Sequence, residues 1–226
     1  IYPLSLHDAL PICMDVVANA FESFQERYGS YPYTELDLVS TPMRAGGMEY
    51  SGIVLLSKSY YDRNIEVHGL PAFEFLESAT AHEVSHQWFF NMVMSDQIDE
   101  PWLDEGMAQY STNIYYIDTY GDITASDYRD SWNSRWERVD FKLMPIGLPC
   151  RKYTREEYSA IIYGRAPLFI KALEEKMGEE AFGEFLKAYF SQHKWAIATT
   201  KSFRAVAEET CQCDLEQAFT NWVYSR

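Results

Sequence analysis

Residues 82–86 read His82-Glu83-Val84-Ser85-His86, and this pentapeptide decides how the rest of the chain is interpreted. On an α-helix the i, i+4 spacing places both imidazoles on one face, about 6 Å apart along the axis. Both rings can therefore reach one metal ion. Glu83, about 100° further round the helix, borders that ion without ligating it. A carboxylate in this position is suited to take a proton from a metal-activated water.

A third ligand is required, because a catalytic zinc ion takes three protein ligands and keeps one position open. Glu105 lies in the sequence WLDEG, and the eighteen residues 87–104 separate it from His86. That length is enough to end one helix, turn and return on the next. The sequence therefore predicts a site for one Zn²⁺ ion at His82, His86 and Glu105, which is the gluzincin arrangement.

The pentapeptide could instead lie on a solvated surface helix, since HExxH also occurs by chance. Two features argue against that interpretation. Trp88 to Phe90 and Ala81 predict a mostly buried helix, and buried imidazoles and carboxylates need partners or a metal. A second predicted helix also brings Glu105 within reach.

Bulk composition limits the class of protein. The chain has 226 residues, 47% of them hydrophobic, which is enough for a substantial core. Its net charge of −15 argues against a nucleic-acid partner, because phosphate binding needs a basic stripe. No run of eighteen apolar residues occurs, so we expect no membrane contact from this chain.

Apolar periodicity predicts an α+β fold, with a small N-terminal sheet followed mostly by helices. Strands are predicted at 36–39 and within 48–57, and an irregular region is predicted from 121 to about 149. Gly69 and Pro71 are predicted to open the helix that carries the two histidines. Asp214 is predicted to cap the last helix, with Gln217 completing a capping box. The predicted helices are 14–28, 71–92, 102–120, 158–177, 179–192, 200–210 and 214–224.

The four cysteines show no CxxC zinc pattern, and they are predicted to be free thiols. Cys211 and Cys213 are separated by one residue, which we take to be too tight for an ordinary structural disulfide. The cysteines therefore do not indicate a compartment.

Three stretches of the sequence resemble the catalytic core of M1-family (gluzincin) zinc aminopeptidases, the group that includes aminopeptidase N and leukotriene A4 hydrolase. The resemblance covers about residues 14–226 and implies a thermolysin-like peptidase domain. Its motifs are AGGMEYSGIV at 45–54, HEVSHQWFFNMVMSDQIDEPWLDEGMAQY at 82–110, and IIYGRAPLFIKALEEKMGEEAFGEFLKAYF at 161–190.

The resemblance implies a role for each matching residue. It assigns Glu83 as the general base and Tyr163 as the donor to the oxyanion of the reaction intermediate. Glu49 would bind the free α-amino group of a peptide substrate. The substrate backbone would run along the strand segment Gly46, Gly47 and Met48, where glycine permits close approach. The implied reaction is removal of N-terminal residues from peptides.

The sequence also sets expectations about the limits of the chain. Residues 1–12, IYPLSLHDALPI, look foreign to the remainder of the sequence, and we expect them to be a non-native leader. We expect residues 13–226 to form the catalytic domain, without the N-terminal β domain and the C-terminal helical domain that flank it in the family. Tyr50 stands where better-known members have Asn. The sequence leaves localisation unknown, either cytoplasmic or extracytoplasmic in a bacterium.

Other functions stay open at this stage. Within the enzymes, the alternative is a thermolysin-type endopeptidase, and an epoxide hydrolase side activity is compatible with the motifs. A non-catalytic peptide-binding relative is a third interpretation, although such proteins typically lose the HExxH glutamate or a metal ligand. Asp104 and Gln109 are candidates for contacts that orient the metal ligands.

Overall fold

The N-terminal part of the chain forms a helix followed by a small sheet. A computed structural model describes residues 6–62, 64–67 and 70–224. Strand β1 pairs in parallel with β3, and β2 pairs with β3 in the antiparallel direction, so the order is β1-β3-β2. These elements are α1 (Leu6–Arg27), β1 (Asp37–Thr41), β2 (Gly47–Tyr50) and β3 (Ile53–Ser57).

The rest of the described chain is mostly helical, which confirms the predicted α+β class with its early sheet. Two pairs of very short strands, β4 with β5 and β6 with β7, are the other sheets of the described residues. The strands are β4 (Glu66–Val67), β5 (Leu70–Pro71), β6 (Val93–Met94) and β7 (Ala196–Ile197). The helices are α2 (Leu76–Ser85), α3 (Met107–Tyr120), α4 (Asp122–Glu137), α5 (Arg155–Ala160), α6 (Ala166–Met177), α7 (Glu179–His193), α8 (Thr200–Cys211) and α9 (Glu216–Trp222).

Aromatic side chains fill the main core between these helices. Trp102 makes edge-to-face contacts with Phe169 and Phe203, at ring-centroid distances of 5.7 and 5.0 Å. Such pairs contribute about 0.5–1.5 kcal/mol each beyond the burial of apolar area. Because Trp102 begins the segment that carries Glu105, this packing fixes the backbone beside the predicted metal site.

The helix of the two histidines is shorter than the predicted 71–92. Pro71 pairs with Glu66 between β4 and β5, and a 3₁₀ turn precedes Leu76. At the other end the chain turns away, because the backbone N–H and side-chain amide of Asn91 both donate to the His86 carbonyl oxygen. His86 therefore caps α2 at its C-terminus. Gly69, predicted to help open this helix, lies outside the described residues.

The irregular region predicted from 121 contains helix α4, so that prediction is wrong in its first half. Gly121 ends α3 with φ 86° and leads directly into α4. In α4 only Ala125 and Trp132 are buried, which leaves little helical periodicity for sequence patterns to detect. Helix bounds after residue 150 agree with the prediction to within a few residues.

The predicted capping box of the last helix is also wrong. Helix α9 begins at Glu216 and its N-cap is Leu215, which makes no side-chain cap. Asp214 Oδ1 instead accepts the Glu216 backbone N–H at 2.7 Å. Gln217 extends along the helix to Asn221 rather than back to the cap.

The cysteine prediction is half wrong. Cys211 and Cys213 form a disulfide, with their Cα atoms 5.1 Å apart. Gln212 lies between them in the left-handed region with φ 51°, and this turn brings the two sulfur atoms together. Cys13 and Cys150 are free thiols, as predicted.

The predicted boundary at residue 12 has no counterpart in the backbone. Helix α1 runs without interruption from Leu6 through that position to Arg27. Residues 1–5, 225 and 226 lie outside the described part of the chain, and the origin of residues 1–12 stays a prediction. Within the described ranges, no helix is both long and apolar enough to cross a bilayer.

Candidate metal centre and peptide cleft

Three predicted ligand atoms converge on one point. Nε2 of His82 lies 3.2 Å from Nε2 of His86 and 3.1 Å from Oε2 of Glu105, and the remaining pair is 3.6 Å apart. Ligands held about 2.0–2.1 Å from a tetrahedral zinc ion are separated by about 3.3 Å. The two imidazoles and one carboxylate therefore fit zinc in both chemistry and spacing.

Two adjoining elements position these ligands. His82 lies in the last turn of α2, which packs against α3, and His86 is the C-cap of that helix. Ser85 Oγ donates to the His82 carbonyl oxygen at 2.7 Å and secures this turn. Glu105 lies in a π-helical segment, 102–106, immediately before α3. The wider turn of a π-helix rotates a side chain relative to a regular helix, and such segments are frequent at functional sites.

Each imidazole also contacts a neighbouring side chain through Nδ1, the ring nitrogen that does not face the other predicted ligands. His86 Nδ1 lies 2.7 Å from Asp104 Oδ1 and 3.1 Å from the Phe89 carbonyl oxygen. A carboxylate in this position orients the ring and makes Nε2 a better metal ligand. The Gln109 side-chain amide lies 3.3 Å from His82 Nδ1. Asp104 and Gln109, the two predicted orienting residues, thus both contact the predicted ligands.

Tyr128 extends this contact shell, and no sequence pattern indicated it. Its hydroxyl donates to the Gln109 amide oxygen at 2.7 Å. Tyr128 belongs to α4, where the sequence predicted an irregular region. The link to His82 therefore depends on a tertiary contact between two helices, which sequence spacing does not encode.

Glu83 lies beside the converging ligands and is almost fully buried. Its Oε2 atom has no hydrogen-bond partner among the described residues. Burial raises the pKa of Glu83 well above its usual value, and the carboxylates of Glu49 and Glu105 raise it further. A buried, unpartnered carboxylate is unfavourable on its own, so this side chain indicates a site that receives a polar ligand.

Tyr163 faces the same point from the second π-helical segment, 161–165. Its ring centroid lies 6.0 Å from that of His82. Burial and the negative charge of Glu105 raise the pKa of Tyr163 well above its usual value. The phenol therefore keeps its proton at neutral pH, and here it hydrogen-bonds to the Glu105 carboxylate.

Gly47, the first residue of β2, and the preceding Gly46 allow this part of the chain to approach the centre closely. A Cβ atom at Gly47 would lie 2.2 Å from Glu83 Oε1, and one at Gly46 would lie 2.2 Å from the Tyr60 hydroxyl. No such separation is tolerated between non-bonded atoms. Gly46 and Gly47, together with Met48 and Glu49, line the cleft above Glu83.

We expect the Gly47→Ala substitution to lower turnover by about 100-fold, since a catalytic group displaced by about 1 Å costs that much. The added methyl group must push the Glu83 carboxylate away from its position. Gly183→Ala is the matched control, because nothing lies within 4 Å of the added atom and the position is helical. Equal activity of the two variants would show that the Glu83 position is not critical.

Two glutamines fix the position of strand β2 relative to the predicted metal ligands. Gln87 donates to the Tyr50 carbonyl oxygen and accepts from the Gly52 N–H, both at 3.0 Å, which ties the β2–β3 turn to the end of α2. Gln97 donates to Asp104 Oδ2 at 2.7 Å and to Glu49 Oε1 at 3.3 Å. Sequence reasoning missed both residues, because nothing in their spacing distinguishes them from other polar side chains.

A second group of potential ligands overlaps the first. Donor atoms of Glu49, Glu83 and His86 also lie within 4.8 Å of one another. This group contains one imidazole and two carboxylates, whereas the first contains the two imidazoles that suit zinc better. The two groups share His86, so they describe overlapping positions for an ion rather than two separate sites.

The three predicted ligands line a cleft of about 1100 Å³ together with Glu83 and Tyr163. Glu49, Ile98, Tyr60 and Arg135 also line it. The size suits a segment of peptide backbone with its side chains.

Comparison with known proteins gives consistent matches over most of the chain. The profile of the Peptidase family M1 domain matches residues 12–222. Aminopeptidase N of Streptomyces lividans is 25% identical over 219 residues, which is 92% of this chain and 25% of that protein. Human endoplasmic reticulum aminopeptidase 2 is 26% identical over 213 residues, covering 88% of this chain and 21% of its own length.

A solved structure shares the fold as well. A variant of an M1 zinc metallopeptidase from Deinococcus radiodurans, bound to a Tyr-Ser-Ala substrate, superposes with a TM-score of 0.71 at 25% identity. The match covers 92% of this chain and 44% of that chain. The chain thus spans about a quarter of the curated relatives and less than half of the solved structure.

Proposed function

Since the chain belongs to peptidase family M1, we propose that it is the catalytic domain of a zinc aminopeptidase that hydrolyses the N-terminal peptide bond of peptides. The observation that carries the proposal is the convergence of His82, His86 and Glu105 within 3.6 Å of one another beside the buried carboxylate of Glu83. The relatives' names, which include aminopeptidases from a bacterium and from human, support the same class of reaction.

In this proposal His82, His86 and Glu105 hold one Zn²⁺ ion. When bound, the ion supplies Lewis acidity, which polarises the scissile carbonyl group and lowers the pKa of a water molecule toward ~7. Asp104 and Gln109 keep the two imidazoles oriented with Nε2 toward the cleft. For His82 to ligate through Nε2, its Nδ1 must carry the proton. The nitrogen of the Gln109 amide faces Nδ1 in the structure, so the amide must be turned over, with its oxygen accepting from Nδ1 and its NH₂ group donating to the Tyr128 hydroxyl.

Glu83 performs the proton transfers. Its carboxylate takes a proton from the attacking water and delivers it to the nitrogen of the departing peptide. Burial favours this role, because a carboxylate removed from bulk water is a stronger base. Tyr163 donates its hydroxyl hydrogen to the oxyanion that forms during attack, a contribution of about 3 kcal/mol for one such donor.

Glu49 restricts cleavage to the first peptide bond. Its carboxylate lies on β2 and accepts a hydrogen bond from Gln97, and in this proposal it binds the α-ammonium group of the substrate. Gly46, Gly47 and Met48 present backbone to which the substrate pairs as an added strand. A Glu49 oxygen lies within 4.8 Å of a His86 ring nitrogen. So short a distance leaves room for one residue before the scissile bond, and the enzyme removes amino acids singly.

Replacing Glu49 tests the proposal against the thermolysin-type alternative. We expect Glu49→Gln to lower kcat/KM on aminoacyl-anilides by about 10- to 100-fold, since a charge-assisted hydrogen bond to the ammonium group is lost. The measurement is steady-state hydrolysis by the zinc-loaded chain, with an N-acetylated peptide assayed alongside. An endopeptidase would cleave the acetylated peptide, and its rate would not change on substitution.

A further inference from the structure

We propose that the end of the cleft opposite Glu49 is a carboxylate-binding subsite, formed by Arg135, Arg138 and Arg155, for the part of the peptide that follows the scissile bond. This inference rests on the proposed function and specifies its substrates. It assigns a preference for peptides that carry a negative charge after the first residue.

Three arginines line the cleft, although the chain as a whole carries a net charge of −15. Glu156 lines the cleft with them, and its charge acts on Arg138. Gln97 donates hydrogen bonds to both Glu49 and Asp104. Glu105 lies beside His82. The arginines come from the second half of α4, the residue just after it and the first turn of α5.

Contacts of Tyr60 place Arg135 at the far end. The Tyr60 hydroxyl packs on Gly46, three residues before Glu49, and a strand advances about 10 Å over that interval. The positive charge of Arg135 reaches the phenols of both Tyr60 and Tyr128. A peptide whose ammonium group is at Glu49 and whose first carbonyl is at the metal ligands must continue toward Tyr60 and Arg135.

The backbone of Arg135 is anchored next to Tyr163. A Cβ atom at Gly164 would lie only 3.1 Å from Arg135 Cβ, so α4 packs directly against the segment that carries Tyr163. The Arg135 side chain thus starts beside the segment that carries the proposed oxyanion donor. This packing fixes the backbone from which the guanidinium extends.

The guanidinium of Arg135 has more N–H donors than its contact with Ser131 uses. Nη1 donates to Ser131 Oγ at 2.9 Å, and no ion pair found among the described residues involves Arg135 or Arg155. Each guanidinium carries five N–H donors, and a carboxylate can accept two of them in parallel. Burial and the like charge of Arg135 lower the pKa of Arg138, and the carboxylate of Glu156 offsets only part of this effect, so a bound anion would relieve the remaining repulsion.

A carboxylate can reach this subsite from two sources. A dipeptide or tripeptide brings its C-terminal α-carboxylate, and a longer peptide brings an Asp or Glu side chain at its second or third residue. Matched substrates distinguish them. Ala-Gln-Ala against its C-terminal amide tests the α-carboxylate, and Ala-Glu-Ala amide against Ala-Gln-Ala amide tests the side chain.

We expect the carboxylate member of at least one pair to have a kcat/KM about tenfold higher, and Arg135→Met to abolish most of that ratio. Arg138→Met should lower the ratio in the same direction. Lys201→Met is the matched control, because it removes one positive charge from an exposed position of α8 outside the cleft. Equal rates within both pairs, or a ratio that survives Arg135→Met, would overturn the inference.

A binding measurement separates this inference from the proposed function. Calorimetry with the zinc-loaded Glu83→Gln chain gives the affinity of each peptide without turnover. Hydrolysis of alanine anilide, which has no carboxylate, reports the proposed function alone. If that hydrolysis fails, the affinity ratio within each pair still decides whether the arginines bind a carboxylate: a ratio near ten supports the subsite, and a ratio near one rejects it.

Discussion

The Glu83→Gln chain is expected to hold zinc with unchanged stoichiometry and to lose turnover of aminoacyl-anilides by at least about 10³-fold. The amide keeps the volume of the carboxylate, so the fit against Gly47 is preserved. The amide cannot accept a proton from the attacking water, and it therefore has no proton to deliver to the departing nitrogen. The measurements are zinc content by atomic emission and initial rates at saturating substrate.

A matched control excludes a general effect of the substitution. Glu74→Gln makes the same chemical change at an exposed position before α2, and it should leave turnover unaltered. If Glu83→Gln retains more than a few per cent of the activity, another group acts as base. If it instead loses zinc, the carboxylate is a ligand, as the overlapping group of Glu49, Glu83 and His86 would require.

The Glu105→Gln chain is expected to bind zinc more than about 100-fold less tightly than the unsubstituted chain. Removing even an outer contact of a metal ligand costs 10- to 100-fold, and here a charged ligand itself is replaced. Competition with a chromogenic chelator measures the affinity. Thermal unfolding at fixed zinc concentration provides an independent reading, because ligand binding stabilises the folded state by RT ln(1 + [L]/Kd).

The pair of substitutions discriminates between the two possible ligand groups. With His82, His86 and Glu105 as ligands, Glu105→Gln loses zinc and Glu83→Gln keeps it. With Glu49, Glu83 and His86 as ligands, the outcomes are reversed. The Glu74→Gln chain serves as the control for zinc affinity in both cases.

The metal centre is the part of the molecule that sequence predicts best. The spacing of His82 and His86 on a helix and the interval to Glu105 are local or nearly local constraints, and the structure brings all three together. The position of Glu83 follows from the same helix. Tyr163 and Glu49 were found only through resemblance, because a single Tyr or Glu carries no positional signal by itself.

Other parts of the site depend on contacts between distant elements, which sequence patterns do not reveal. Gln87, Gln97 and Tyr128 reach the centre through tertiary contacts with β2, Asp104 and Gln109. The π-helical segments that hold Glu105 and Tyr163 also differ from the regular helices that apolar periodicity predicts. The disulfide at Cys211 was missed because its turn requires a left-handed Gln212.

Anomalous diffraction at the zinc absorption edge, from a crystal of the zinc-loaded chain, tests the proposed ligand set most directly. We predict one strong peak about 2.0–2.1 Å from Nε2 of His82, Nε2 of His86 and a carboxylate oxygen of Glu105. A peak bound by Glu83 or Glu49 in place of His82 would contradict the account, as would zinc found only at surface carboxylates.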